Sequence, residues 1–406
     1  MRSYSLFTIL LLCVAILLID IFAFYWLQSI TQLLASETLK LTIHGLFWIF
    51  TVGLIVSILL LKLRLDDIDP KRKSLLVSSL YGLTVSSFIP KLIFSCVISI
   101  LYFTNYMFSE SASLLIVPLV GLFSGFLPFF IILYGVFRAL YRFKVYHIAI
   151  KHEDLPVVFD GLKIVQISDL HLGSFNYRYH ILERAVHTIN GLEPDLIFFT
   201  GDLVNNCAWE LKGWDRVLKK LTAKRGKYAV LGNHDYGDYQ DWPSPQKKEE
   251  NSKNIEVFFH SINFKLLLNE SEVITDANQE LAIIGVENWG KTPFKQYGDL
   301  KKAMKNIMKV PFKMLLSHDP SHWSEEVVEK TNVSITFSGH THGMQAALIL
   351  KNKKWSPIKY KYKHWAGLYT QAKQHLYVNR GLGWLGFPGR VGMRPEITLM
   401  ELKRLT

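Results

Sequence analysis

Apolar residues fall into two regimes along this chain, long unbroken runs before about Phe143 and short runs separated by charge after it. The first run, residues 5–27, is nearly all apolar and carries Asp20 as its one charge. About 20 such residues span a bilayer as a helix. No clear small-residue cleavage site follows, so a span is favoured over a signal peptide. Residues 42–63 predict a second span. Residues 74–108 are too long for one straight crossing and are interrupted at Pro90-Lys91. The expectation there is an interfacial or tilted lead-in and a third span over 85–108, with Lys91 snorkelling to the cytoplasmic side. Residues 114–137 predict a fourth span, where Pro118, Gly121, Gly125 and Pro128 suggest a kink or close helix packing. An acid inside a span is costly, and Asp20 is expected near an interface or facing a neighbouring helix.

From about Val157 the pattern changes to short Val/Ile/Leu/Phe runs bounded by turn residues, as buried strands require. They cover 162–168, 196–200, 228–231, 281–286, 313–317 and 334–337. Helical stretches are predicted over 177–190, 209–221, 297–309 and 321–329. This alternation predicts an α/β domain with helices outside sheets, and periodicity leaves a doubly wound sheet and a sandwich equally open. Residues 1–150 are therefore read as a membrane region with a basic linker, and 151–406 as the chemical domain. The polar, aromatic stretch 236–254, with Asp238, Tyr239 and Trp242, is either a wall beside a site or a solvated connector.

Composition sharpens this picture in two respects. The 406 residues carry a net charge of +12, which would suit a nucleic-acid partner, yet no nucleic-acid-binding signature accompanies it. Instead the positive residues cluster beside apolar runs. Lys62, Arg64, Lys71, Arg72 and Lys73, among Asp66, Asp67 and Asp69, follow the second run, and Arg138, Arg142, Lys144 and Lys151 follow the fourth. The other connections carry only Glu37, Lys40 and Glu110. By the positive-inside rule the amino terminus and the chemical domain are both expected in the cytoplasm. Cys13, Cys96 and Cys207 are far apart and form neither a disulfide framework nor a thiolate metal site.

The candidate chemistry lies where the apolar runs stop. Ile167-Ser168-Asp169-Leu170-His171, Thr200-Gly201-Asp202, Gly232-Asn233-His234-Asp235, Ser317-His318 and Gly339-His340-Thr341-His342 each sit at the tip of a predicted strand, where α/β proteins hold ligands. Alternate side chains share a side, so Asp169 and His171 can point at one ion, and Gly339-His340-Thr341-His342 places its two imidazoles on one side of an extended turn. Oxygen and nitrogen donors without thiolate favour Mn, Fe, Zn or Mg.

Five blocks in this order resemble the calcineurin-like metallophosphoesterases. The segment from Asn379-Arg380-Gly381 through Arg390, Arg394 and Glu396 is similar to the closing segment of their YkuE/YaeI-like branch. The resemblance implies a four-layer α/β/β/α sandwich and hydrolysis of a phosphodiester, pyrophosphate or phosphomonoester by a metal-bridged hydroxide. It implies two divalent ions, Asp202 bridging them, with Asp169, His171 and His342 on one and Asn233, His318 and His340 on the other. His234 then corresponds to the family's histidine that binds a phosphoryl oxygen or protonates the leaving group. Asp235 is expected to orient that imidazole or to cap a turn, and Arg380, Arg390 and Arg394 to clamp a second phosphate. The expected substrate is a phosphate ester presented at the membrane, a phospholipid or a nucleotide-linked lipid, with membrane lipids as neighbours and no nucleic acid. A scaffold or sensor that binds a phosphorylated ligand without turnover is the rival class. Trp365, Trp384 and Phe387 are expected in packing, with an apolar lip to the site as the alternative.

Overall fold

The computed structural model describes the chain except residues 1–4, 66, 110–114, 293, 351–352 and 406. Asp66 and Glu110 of the predicted loops, and Leu114 at the start of the fourth predicted span, lie outside the described residues. Contacts divide the chain into two compact units, residues 3–138 with Gly386–Gly389, and Ala139–Leu385 with Arg390–Thr406.

The first unit contains helices α1 (Leu6–Thr31), α2 (Glu37–Leu63), α3 (Pro70–Phe108) and α4 (Ile116–Phe137). Each is long and apolar enough to cross a bilayer. Their starts are written locally: Ser5, Ser36 and Asp69 accept from the backbone N–H groups of Thr8, Leu39, and Lys71 with Arg72, and Pro70 opens α3 where its missing N–H costs nothing. Residues 74–108 do not break at Pro90, because α3 runs through it as one 39-residue helix. Glycines let α4 press against that stretch: a β-carbon on Gly121 would come within 2.9 Å of Ile98, and one on Gly125 within 3.1 Å of Phe94. Lys91 does not snorkel outward. Its ammonium lies 2.7 Å from Asp20, whose buried carboxylate also accepts from the Thr51 hydroxyl. One acid thereby ties α1 to α2 and α3, and the pairing removes most of the cost of holding charge among apolar helices.

The second unit starts earlier than residue 151. Lys144–His152, read from sequence as the end of a basic linker, is strand β1. There follow β2 (Lys163–Ile167), α5 (Tyr179–Asn190), β3 (Leu196–Thr200), α6 (Asp215–Leu218), β4 (Gly226–Val230), α7 (Pro245–Ser261), β5 (Lys265–Leu266), β6 (Glu270–Asp276) and β7 (Gln279–Gly285). Then come α8 (Leu300–Met304), β8 (Phe312–Leu316), β9 (Ile335–Ser338), β10 (Leu348–Leu350), β11 (Lys353–Trp355), β12 (Gly367–Gln371), β13 (Gln374–Val378) and β14 (Glu396–Arg404). Two six-stranded sheets have the orders β1-β14-β2-β3-β4-β5 and β12-β13-β9-β8-β7-β6, and β10 and β11 make a separate hairpin. The central strands β2 to β5 and β7, β8, β9 and β13 are parallel neighbours.

The side-chain alternation settles the architecture. Ile164, Leu196 and Phe198 pack with Ile283, Met314, Leu316 and Phe337 in a core between the sheets. Their chain neighbours Val165, Ile197 and Phe199 face the opposite way, onto α5, α6 and α7. Ala282, Ile284 and Leu315 likewise face α8 and the turn at Trp323–Val327. Each sheet thus has the other sheet on one face and helices on the other, a four-layer α/β/β/α sandwich. Both faces are buried, so the strands read as continuous apolar runs.

Several predicted helices are shorter than their patterns. The stretch 209–221 is divided at Gly213 (φ +78°) into a single turn and α6, and 297–309 contains only the five residues of α8. Conversely, part of the polar stretch 236–254 is helical, because Ser244 caps α7 and Pro245 begins it.

Candidate active site

The strand tips of β2, β3, β4, β8 and β9 converge, and five of the side chains they carry sit on left-handed backbone: Asp169, His171, Asp202, His340 and His342, with φ between 47° and 70°. Non-glycine residues adopt this region only where their surroundings enforce it, and functional sites are where that occurs. Gly201, Gly232 and Gly339 make the convergence sterically feasible. A β-carbon on Gly339 would collide with Ser168 and Asp169, and one on Gly232 with Asp202.

Two donor groups result. Asp169, His171, Asp202 and His342 bring one ligand atom each within 4.8 Å of one another, and so do Asp202, His318 and His340. Asp202 belongs to both: its Oδ2 lies 3.5 Å from His171 Nε2 and 3.2 Å from His318 Nε2. In the first group His171 Nε2 and His342 Nε2 are 3.0 Å apart, and His342 Nε2 is 3.2 Å from Asp169 Oδ1. In the second, His340 Nδ1 is 2.8 Å from Asn233 Oδ1 and 3.3 Å from His318 Nε2.

These residues fit divalent cations, on the following physical ground. His171 donates from Nδ1 to the Val204 carbonyl and His318 from Nδ1 to the Thr200 carbonyl, which turns Nε2 of each inward as the atom available to an ion. Imidazole nitrogens and carboxylate oxygens thus crowd together at 3.0–3.5 Å, and a cation held among them would offset that crowding of electron-rich atoms. Burial drives the same way, lowering the pKa of His171 to about 3 and that of His340 to about 4 and holding His342 well below its ordinary value. Neutral imidazole is the metal-binding form. His318 differs: burial opposes its charge, but the adjacent Asp202 carboxylate raises its pKa to about 10. Asp202 is held well below the carboxylate range, since His318, His234 and His171 outweigh its burial, whereas burial lifts Asp169 to about 7.

His234 lies beside this cluster, partly exposed, with its ring centroid 5.1 Å from that of His171. Its Nδ1 donates to the Asn205 carbonyl at 2.6 Å, so Nε2 is the atom left for chemistry. Asp235 does not orient it. The Asp235 carboxylate accepts four backbone N–H groups, those of Leu203 and Val204 at 2.8 and 3.1 Å on Oδ1 and those of Asp202 and Gly232 at 2.9 Å on Oδ2. It is a brace for the turn that carries Asp202. Of the two expected roles the geometry gives the turn cap and not the contact with His234, because successive residues project in different directions.

The three arginines are also committed elsewhere. Arg390 is fully buried and donates to the carbonyls of Arg380, Gly381 and Gly383. Arg380 pairs with buried Glu396 at 2.5 Å and lies over the Tyr146 ring. Arg394 donates to the carbonyls of Arg142 and Phe143. None is presented to a second phosphate. Arg390 supports the site from behind, since the loop it gathers donates from Leu382 N and Gly383 N to the carbonyls of Ser168 and Asp169. Trp365 and Trp384 are buried packing residues, and Phe387 packs on Tyr81 in the helical unit. Tyr239, from the 236–254 stretch, does border the site: its ring centroid is 4.7 Å from that of His234 and its hydroxyl accepts from Asn233 Nδ2. Tyr362, whose hydroxyl lies 2.7 Å from His340 Nε2, was not legible in the sequence, and no spacing signal marks it.

A four-layer sandwich whose strand tips join two histidine-rich donor groups through one aspartate defines a class, the metal-dependent phosphoesterases. Residues 162–344 match the family described as Calcineurin-like phosphoesterase, and residues 2–140 match "Probable Calcineurin-like phosphoesterase, transmembrane domain". A Bacillus subtilis protein named "Uncharacterized metallophosphoesterase YkuE" is 32% identical over 258 residues, covering 63% of this chain and 83% of its own. The zebrafish "Transmembrane protein with metallophosphoesterase domain" is 28% identical over 281 residues, with 67% of this chain and 60% of that protein matched. "UDP-2,3-diacylglucosamine pyrophosphatase LpxG" of Chlamydia muridarum is 27% identical over 290 residues, 59% of this chain and 83% of its own. This chain belongs to the calcineurin-like metallophosphoesterases and is a membrane protein with four apolar helices ahead of the enzyme domain.

Proposed function

We propose that the protein hydrolyses a phosphate ester or phosphoanhydride with the help of two divalent ions, one held by Asp169, His171 and His342, the other by Asn233, His318 and His340. The position of Asp202 supports this most directly, because one carboxylate faces both donor groups. Bound ions supply an acidified water near neutral pH and offset charge on the phosphoryl oxygens. The protein's own residues do the rest. Asn233 presents a neutral oxygen, which limits negative charge where an anionic substrate must sit. His234, held by the Asn205 carbonyl, offers Nε2 to a phosphoryl oxygen or to the departing oxygen as a proton donor. Asp235 and Arg390 keep the turns carrying Asp202 and Asp169 rigid.

The substrate we propose is a lipid-linked diphosphate approached from the cytoplasmic side. A relative named for the pyrophosphatase reaction on UDP-2,3-diacylglucosamine supports the class, and the positive residues after the second and fourth spans support the orientation. The test compares full-length protein in vesicles on a diacylated nucleotide-sugar diphosphate and on the same nucleotide sugar without acyl chains. A kcat/KM at least about tenfold higher for the acylated form is expected, corresponding to roughly 1.4 kcal/mol of differential binding in the transition state. Equal values would assign the enzyme to soluble substrates.

A further inference from the structure

The two donor groups are supported differently from outside. In the first, His171 is held by a backbone carbonyl and the ligands Asp169, His171 and His342 are buried. In the second, His318 is also held by a backbone carbonyl, but Asn233 and His340 each lean on a tyrosine. Asn233 Nδ2 donates to Tyr239 at 2.9 Å, which turns Oδ1 inward toward His340 Nδ1. Tyr362 sits 2.7 Å from His340 Nε2, the ring nitrogen that faces away from the cluster. An amide without such a partner can present its NH₂ instead of its oxygen, and an imidazole can present the wrong tautomer.

These tyrosines come from different loops, each fixed in its own way. The residue before Tyr239, Asp238, accepts from Lys295 at 2.9 Å and from the Tyr297 hydroxyl at 2.8 Å. Tyr362 is buried in a small cluster with Trp365, Ala366 and Met393, and its N–H donates to Ile358. Both phenols therefore arrive at the site held in place.

We infer that Tyr239 and Tyr362 are positioning residues for one metal position only, fixing the Asn233 amide and the His340 tautomer so that the ion held by Asn233, His318 and His340 binds tightly. This rests on the two-ion reading proposed above. The pairing makes the second ion's affinity separable from the first, which a single shared support would not.

The test is a Mn²⁺ titration of the full-length protein, counting bound ions per chain by elemental analysis, on wild type, Tyr239→Phe, Tyr362→Phe and the double variant. Each single variant should weaken one of the two ions by about 10-fold or more and the double variant by about 100-fold, the range for losing a partner of a metal ligand. The other ion should stay within about twofold of wild type in all three, and excess Mn²⁺ should restore most of the double variant's activity. Unchanged affinity for both ions in the double variant overturns the inference, and so does an equal loss of both. A wild type that binds fewer than two ions overturns the two-ion reading itself, and that result is visible before any variant is made.

Discussion

Replacing Asp235 by Ala tests whether this carboxylate braces the structure or takes part in proton transfer. Its two oxygens accept four buried backbone N–H groups, and the residue is 1% exposed. A buried donor left without a partner costs about 1–3 kcal/mol, so even the low end gives about 4 kcal/mol for all four, among the larger single-residue effects. For a domain of this size that corresponds to a fall in Tm of about 8–16 °C. Asp235→Asn retains one carbonyl oxygen and its two N–H partners while turning an NH₂ toward the other two, so it should lose about half as much. Because two of the four groups belong to Asp202 and its neighbour Leu203, bound metal should fall together with Tm in both variants. The assay is a thermal melt with elemental analysis of the same detergent-solubilised samples. An Asp235→Ala protein that melts within about 2 °C of wild type and keeps its metal while kcat alone drops would refute the brace and restore a role beside His234.

His234→Ala should lower kcat by about 10²-fold or more with both ions retained; metal loss in that variant would make His234 a ligand, and an unchanged rate would remove it from the chemistry. Arg390→Met leaves the carbonyls of Arg380, Gly381 and Gly383 without their shared donor, and its expected signature is a lower Tm and weakened binding at the Asp169 ion. A rise in KM alone, with Tm and metal content unchanged, would instead return Arg390 to the substrate. Reporter fusions after Lys40, Lys73 and the carboxyl terminus should read outside, inside and inside, and a carboxyl-terminal reporter that reads outside would place the enzyme domain across the membrane.

The parts of the molecule legible in sequence were those set by short-range rules. Continuous apolar runs marked β2, β3, β7, β8 and β9 because each is buried on both faces, and the choice of a sandwich over one doubly wound sheet depended on which residues meet across the core, as Phe198 meets Phe337. Helix α7 was hidden because its sequence is mostly polar, and β1 because its charges resembled a membrane flank until its pairing with β14 was visible. Within the site, residues at strand tips announced themselves by type and spacing. Supporting roles did not: Arg390, expected at a phosphate, reaches back to the carbonyls of Arg380, Gly381 and Gly383, and Tyr362 reaches the His340 imidazole across the hairpin of β10 and β11. For Asp235 adjacency to His234 left two roles open, and the turn geometry decides for the cap on the Asp202 loop.

The central claim is that Asp202 joins two ions in one hydrolytic site, and the measurement that addresses it most directly is bound metal and phosphodiester hydrolysis on the same preparations of wild type and Asp202→Asn. Wild type saturated with Mn²⁺ should hold about two ions per chain, hydrolyse bis(p-nitrophenyl) phosphate, stop in excess chelator and recover on adding metal back. Asp202→Asn should lose both the hydrolysis and most of the bound metal. Full hydrolysis by wild type in excess chelator, or an Asp202→Asn protein that works at the wild-type rate, would contradict the account.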